Sequence, residues 1–221
     1  MFLKSTTPDF LRQLARNNNR DWFETKRNDY DVARKDFESF IDAVRIGMIP
    51  LVPELAAQTG KDAIYRIFRD VRFSKDKTPY KKNFSAYFSK GGRKWAGAGY
   101  YLHLEPGAAF LAGGIWMPEP QLLRKIRQEI DYGYDEWRSI VEQKAFVKTF
   151  GAMNGDRLTK VPKGYEADNA AAEYLKYKSF IFTAQLPDEI FTAKDSIKKI
   201  VAIWKQLSPV IAFLNKAMEE E

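Results

Sequence analysis

The apolar positions take helical spacing at both ends of the chain and strand-like alternation in the middle. Phe10, Leu11 and Leu14 form a short stripe behind Thr7 and Pro8, which suit the cap and first position of a helix ended by Asn17, Asn18 and Asn19. From about Asp21, the positions Tyr30, Ala33, Phe37, Phe40, Ile41, Val44 and Met48 step by three and four. They predict one long helix with a single buried face, stopped by Pro50. Pro53 opens a further short helix, which Gly60 is placed to end in the left-handed conformation. Residues 83–89 alternate and read as a strand. Tyr100–Leu104 and Ala108–Ala112 flank Glu105, Pro106 and Gly107, which predicts an antiparallel hairpin. The glycine-rich stretch 90–99 reads as a mobile loop carrying Trp95.

Beyond the hairpin, Pro118 begins a helix with Leu122, Leu123, Ile126 and Ile130 on one side, and another follows through Trp137, Ile140 and Val141. Residues 151–169 read as irregular and Phe180–Thr183 as a strand. Ile197, Ile200, Trp204, Leu207, Ile211, Leu214 and Met218 keep helical phase across Pro209. That predicts one kinked helix, or two abutting ones with Ser208 as a cap. Helices flanking a strand-rich middle give an α+β fold with an antiparallel sheet, expected as a single domain over residues 1–221.

Composition narrows the chemistry. At 221 residues the chain is long enough to bury about 70% of its unfolded surface. It has no cysteine, so a disulfide scaffold, a thiolate metal site and a cysteine nucleophile are excluded. The N-terminal residues carry no apolar stretch of signal-peptide length, and no run reaches the ~18 apolar residues of a membrane span. A cytoplasmic protein without a membrane partner is expected.

Charge is the uneven quantity. Residues 65–82 hold Arg66, Arg69, Arg72, Lys75, Lys77, Lys81 and Lys82 against Asp70 and Asp76, a net +5 where the whole chain carries +7. Acidic residues such as Glu219, Glu220 and Glu221 lie elsewhere. Tyr65, Phe68, Phe73 and Tyr80 interleave with the cations, so aromatics would anchor the segment while guanidinium groups stay close together. That proximity calls for an anion or an intervening carboxylate. Arg66, Arg69, Arg72, Lys75 and Lys77 are therefore candidates to hold a phosphate or carboxylate, with Asp70 orienting a guanidinium and Tyr80 and Trp116 as further ligand contacts. An internal salt-bridge network explains the same pattern equally well. Trp116 also suits a core.

The run from Arg66 to Lys81 resembles the signature of the family known as domain of unknown function 2461. Residues 100–107 (Tyr-Tyr-Leu-His-Leu-Glu-Pro-Gly), Gly113–Pro118, Asn19–Phe23 and Lys178–Ile181 resemble its other blocks. The resemblance spans nearly the whole chain and implies one intact domain. It implies no activity, substrate or cofactor.

His103 is the only histidine. On a strand over Tyr100–Leu104, Tyr100, Leu102 and Leu104 share an apolar face, and Tyr101, His103 and Glu105 line the other. His103 is a candidate general acid or base and Tyr101 a hydrogen-bond donor beside it; a histidine bonded within the sheet for structural reasons is the simpler reading. No P-loop, dinucleotide or serine-nucleophile motif is present. With one histidine, and with Asp70 and Asp76 among cations, no metal site is expected. Three functions compete: a small-molecule site for an anionic ligand, enzymatic or not; a nucleic-acid module using the basic segment with Phe68, Phe73, Tyr80 and Tyr87; and a structural protein pairing through its C-terminal helix. Nothing in the pattern specifies a cofactor or an oligomeric state.

Overall fold

The computed structural model describes residues 1–218; Glu219, Glu220 and Glu221 lie outside the described residues. The chain divides into two compact units. The first comprises Met1–Arg93, Tyr101–Leu111 and Gln185–Ala202, and the second comprises Lys94–Tyr100, Ala112–Ala184 and the residues from Ile203 on.

In the first unit, α1 (Thr6–Arg16), α2 (Arg20–Thr25) and α3 (Arg27–Met48) follow in succession. Helix α1 begins one residue before Thr7, so Thr7 is not its cap. The Thr7 hydroxyl instead donates to the Asp36 carboxylate at 2.6 Å, tying α1 to α3. The long helix expected from Asp21 is interrupted at Lys26, whose N–H still reaches the carbonyls of Trp22 and Phe23. Asn19 caps α2 by accepting the Trp22 N–H. Helix α3 buries Ala33, Phe37, Phe40, Ile41, Val44 and Met48, as its spacing predicts.

Pro53–Ala57 is a 3-10 turn, and Gly60 opens α4 (Gly60–Ala63) rather than ending a helix. Thr59 and Asp62 make a capping box at its start. Glycine is needed there because a Cβ would lie 2.6 Å from the Asp42 backbone nitrogen, not because of a left-handed backbone.

Strands β1 (Phe84–Phe88), β2 (Gly99–Leu104), β3 (Phe110–Ile115) and β4 (Phe180–Gln185) form one antiparallel sheet in chain order, with helices before and after it. Burial alternates along β2 as expected: Tyr100, Leu102 and Leu104 are buried, while Tyr101 and His103 are half-buried. Strand β3 starts later than the pattern suggests and runs through Gly113 and Gly114. These glycines admit the protein's own atoms. A Cβ on Gly113 would lie 2.8 Å from Leu207, and one on Gly114, at φ +130°, only 1.8 Å from the Phe180 carbonyl oxygen.

The second unit holds α5 (Pro120–Tyr132), α6 (Tyr134–Val141), α7 (Lys144–Phe150) and α8 (Ala172–Leu175). Helix α5 begins two residues after Pro118, and α7 and α8 have no counterpart in the sequence reading. Helix α7 contributes Phe146 and Phe150, whose rings pair at 4.8 Å. Trp137 is fully buried and meets Phe180, Phe182 and Phe213. Helix α9 (Ser196–Lys216) is continuous through Pro209. Ser208 is therefore no cap; its side chain hydrogen-bonds the Tyr100 hydroxyl at 3.1 Å. Trp95 folds back over Gly97, where a Cβ would meet its ring at 2.3 Å. Among the described residues, no helix is long and apolar enough to cross a membrane.

Candidate functional site

The basic segment folds back on itself. Ile64 bridges Ala86 and Phe68 bridges Tyr80, both antiparallel, while Arg69 N–H donates to the Pro79 carbonyl and Lys81 N–H to that of Ile67. Residues 64–69 thus lie along 79–86, and 70–78 close the end as a loop. Aromatic packing and one amide fix this arrangement. Tyr80 stacks on Phe23 at 4.0 Å with Phe68 beside it at 5.5 Å. The Asn18 side chain donates to the Tyr80 carbonyl and accepts its N–H, satisfying both backbone groups. Tyr80, expected as a ligand contact, is 3% exposed and belongs to the core.

Much of the loop's charge is matched internally. The Arg69 guanidinium donates to Asp76 and Thr78, and to Ser74 at 3.3 Å. The Thr78 N–H, with Arg69 after it, holds the Asp76 carboxyl down at about 2. Arg72 forks onto both oxygens of Asp70, at 3.0 and 2.6 Å, and Lys77 donates to the Val71 carbonyl at 3.0 Å. Lys75 is exposed and makes no hydrogen bond or ion pair among the described residues. The three arginines therefore do not converge as one clamp. A carboxylate two residues before Arg72, and another seven after Arg69, capture two of them locally.

The remaining cations gather elsewhere in the same unit. A hollow of about 440 Å³ is lined by Tyr65, Arg69, Asp70, Lys81, Asn83, Ser85 and Tyr101. The Tyr65 ring carries two cations, the Lys81 ammonium 5.4 Å and the Arg93 guanidinium 5.1 Å from its centroid. Arg93 donates to the Asp62 carbonyl, and neither it, Lys81 nor Arg66 is salt-bridged to a carboxylate among the described residues. Burial, then Arg66 and Arg93, push the Lys81 amine below its ordinary value. Asp70, the carboxylate lining the hollow, is already forked by Arg72. Burial raises the Tyr65 and Tyr101 phenols, which keeps both protonated at neutral pH.

From Tyr101 a hydrogen-bonded line runs along β2. The Tyr101 hydroxyl lies 3.1 Å from His103 Nδ1, and His103 Nε2 lies 3.0 Å from a Glu105 carboxylate oxygen. The imidazole stacks on Phe110 of β3 at 4.6 Å, nearly parallel, which fixes its plane. Tyr101 lines the hollow, with His103 directly behind it.

Trp116 lies in the second unit, 68% exposed, beside Met117 at φ +45°. It is not among the residues lining the hollow. Sequence reasoning counted Lys81 as charge without giving it a role, and it passed over Asn83, Ser85, Tyr65 and Arg93 as site residues. One signal was readable. Lys81, Asn83 and Ser85 alternate with buried Tyr80, Phe84 and Ala86 or exposed Lys82, which puts the three on one face of the strand leading into β1. Pairing of Tyr65 with Ser85 across that strand was not readable from local pattern.

A family model described as "Conserved hypothetical protein (DUF2461)" matches residues 6–213. No curated protein and no solved structure matches the chain.

Proposed function

The chain belongs to the DUF2461 family, and for it we propose a small-molecule site: the hollow beside Tyr65 binds a ligand bearing a phosphate or carboxylate. One observation carries the reading. Burial, then Arg66 and Arg93, lower the Lys81 amine, and none of the three cations is salt-bridged to a carboxylate among the described residues, with Arg66 acting on Asp70 and Arg93 on Asp62 only at longer range. Like charges held together in a partly desolvated place are unfavourable until an anion joins them. The lining supplies what such an anion needs: charge from Lys81, a neutral hydroxyl donor from Tyr65, and polar contacts from Asn83 and Ser85. Arg69, Arg72, Lys75 and Lys77 act indirectly in this reading, since the first two shape the loop bordering the hollow and the lysines raise the local potential.

The test is a thermal-shift panel of phosphorylated metabolites, nucleotides and carboxylates at constant ionic strength, run on the wild type and on Lys81→Met. A compound that stabilises the wild type and loses its effect in Lys81→Met supports the site. Silence across the panel, or hits indifferent to Lys81→Met, refutes it.

A second reading has one observation of its own. Phe73 is 96% exposed on the loop, with the Arg72 guanidinium 5.8 Å from its ring centroid and Lys75 and Lys77 nearby. An aromatic offered to water among cations suits stacking on a base of single-stranded nucleic acid. It ranks second because Tyr80 is withdrawn into the core and the neighbouring arginines are internally paired.

A further inference from the structure

We infer that Glu105, His103 and Tyr101 form a proton relay ending in the hollow, in which Tyr101 accepts a proton from a hydroxyl of the bound anion and Glu105 is the positioning residue. The inference rests on the ligand-binding reading for its substrate and goes beyond it in naming a reaction type.

The geometry sets the direction. Glu105 offers only acceptor oxygens when ionised, so the contact at 3.0 Å puts the imidazole hydrogen on Nε2. Nδ1 is then the bare nitrogen, and the Tyr101 hydroxyl, 3.1 Å away, donates to it. With that hydrogen committed, the phenol oxygen acts as an acceptor, one lone pair facing the Ser85 hydroxyl that hydrogen-bonds it and the other left for a ligand in the hollow that both residues line. Phe110 stacked on the imidazole and the i, i+2 spacing along β2 hold all three groups in register. The far end is open as well: Glu105 lines a second hollow with Arg12, Arg16 and Lys82. Its side chain is 34% exposed, against 15% for His103.

The step balances without an oxidant or metal. The ligand O–H bond breaks and its proton bonds to the Tyr101 oxygen. The former Tyr101 O–H bond breaks and that proton bonds to His103 Nδ1. The ligand is left as an alkoxide beside Lys81, and His103 becomes an imidazolium held by Glu105. The substrate class is a hydroxylated molecule carrying a phosphate or carboxylate, and the chemistry is general-base activation of that hydroxyl.

The test uses the full chain and p-nitrophenyl acetate, an uncharged probe that does not need the cations. If the relay draws the proton from Tyr101, the phenol oxygen bonds to the acyl carbon, nitrophenolate leaves with the bonding electron pair, and the Tyr101 proton goes to Nδ1. Mass spectrometry should find the acetyl group on Tyr101. Nitrophenolate release should fall about 100-fold in His103→Ala and about 10-fold in Glu105→Gln. Tyr101 left unmodified, or modified at the same rate in both variants, overturns the relay. A second measurement needs no variant: because the chain has one histidine, long-range ¹⁵N–¹H correlation on histidine-labelled protein reports a single imidazole. Hydrogen on Nε2 is expected, and hydrogen on Nδ1 overturns the relay. Failure here leaves the anion reading standing, since that reading is decided by Lys81→Met and phosphate.

Discussion

Replacing Lys81 by methionine should stabilise the protein in the absence of ligand. The Lys81 ammonium and the Arg93 guanidinium share one ring, at 5.4 and 5.1 Å from its centroid, so they lie no more than about 10.5 Å apart. Two unit charges at that separation repel by about 1.5 kcal/mol at an effective dielectric of ~20. Salt, with a Debye length of about 8–10 Å, and the half-exposed position cut this to about 0.5 kcal/mol. Arg66 acts in the same direction. Losing the cation–π contact costs about 0.5–1 kcal/mol, and a methionine sulfur against the ring restores a similar amount. The net expectation is a gain of roughly 0.5–1 kcal/mol, a rise in Tm of about 1–4 °C for a chain of this size. The assay is thermal unfolding followed by circular dichroism in chloride buffer, then in sodium phosphate at equal ionic strength. Wild type should gain stability in phosphate, by about 2.7 kcal/mol at a hundredfold excess over Kd, and Lys81→Met should not. A Lys81→Met protein less stable than wild type in chloride would refute the reasoning, because the lysine would then already be compensated from within.

The pH dependence has a definite sign. The folded-state value of Lys81 lies below 10.5, so between the two values the unfolded chain binds more protons and stability rises with pH. The advantage of Lys81→Met over wild type should therefore narrow as Tm is compared from pH 7 towards pH 10. Asp76 behaves in the opposite sense: its folded value is about 2 against 3.8, so its contribution is present above 3.8 and lost as pH falls through about 2. The stability gap between wild type and Asp76→Asn, measured by urea unfolding, should be flat above pH 5 and close on acidification. Gly114→Ala should cost more than about 4 kcal/mol in the same assay, because the new methyl meets the Phe180 carbonyl at 1.8 Å and φ is +130°. Phe73→Ser should leave Tm unchanged, its ring being exposed. If the nucleic-acid reading holds, it should weaken single-strand binding by about 1–3 kcal/mol in a fluorescence-anisotropy titration.

The architecture was legible where burial follows one period. Helix α3 shows its stripe in sequence, and β2 its alternation, because each is half-buried on one face. Breaks in period were less legible. The joint at Lys26 has no proline or glycine to mark it, and at Pro209 the sequence left open one helix or two, of which α9 is the single helix. At the site, the concentration of charge was visible, and so was the line Tyr101, His103 and Glu105. Which cations stay unpaired was not. Arg69 finds Asp76 only because Phe68 and Tyr80 close the hairpin on Phe23 and Asn18, and those contacts lie some sixty residues apart in the chain. Arg93 joins Lys81 over Tyr65 by the same kind of non-local packing. Local pattern gives the inventory of charges, while pairing depends on tertiary closure.

The most direct measurement is anomalous diffraction from crystals of the unmodified protein soaked in sodium selenate, an oxyanion with the shape and charge of the group proposed to bind. The account predicts a selenium peak in the hollow beside Tyr65, with oxygens in hydrogen-bonding reach of Lys81 Nζ, and its absence from Lys81→Met crystals treated identically. A hollow holding only water, with the Lys81 amine turned onto a carboxylate of its own chain, would contradict it.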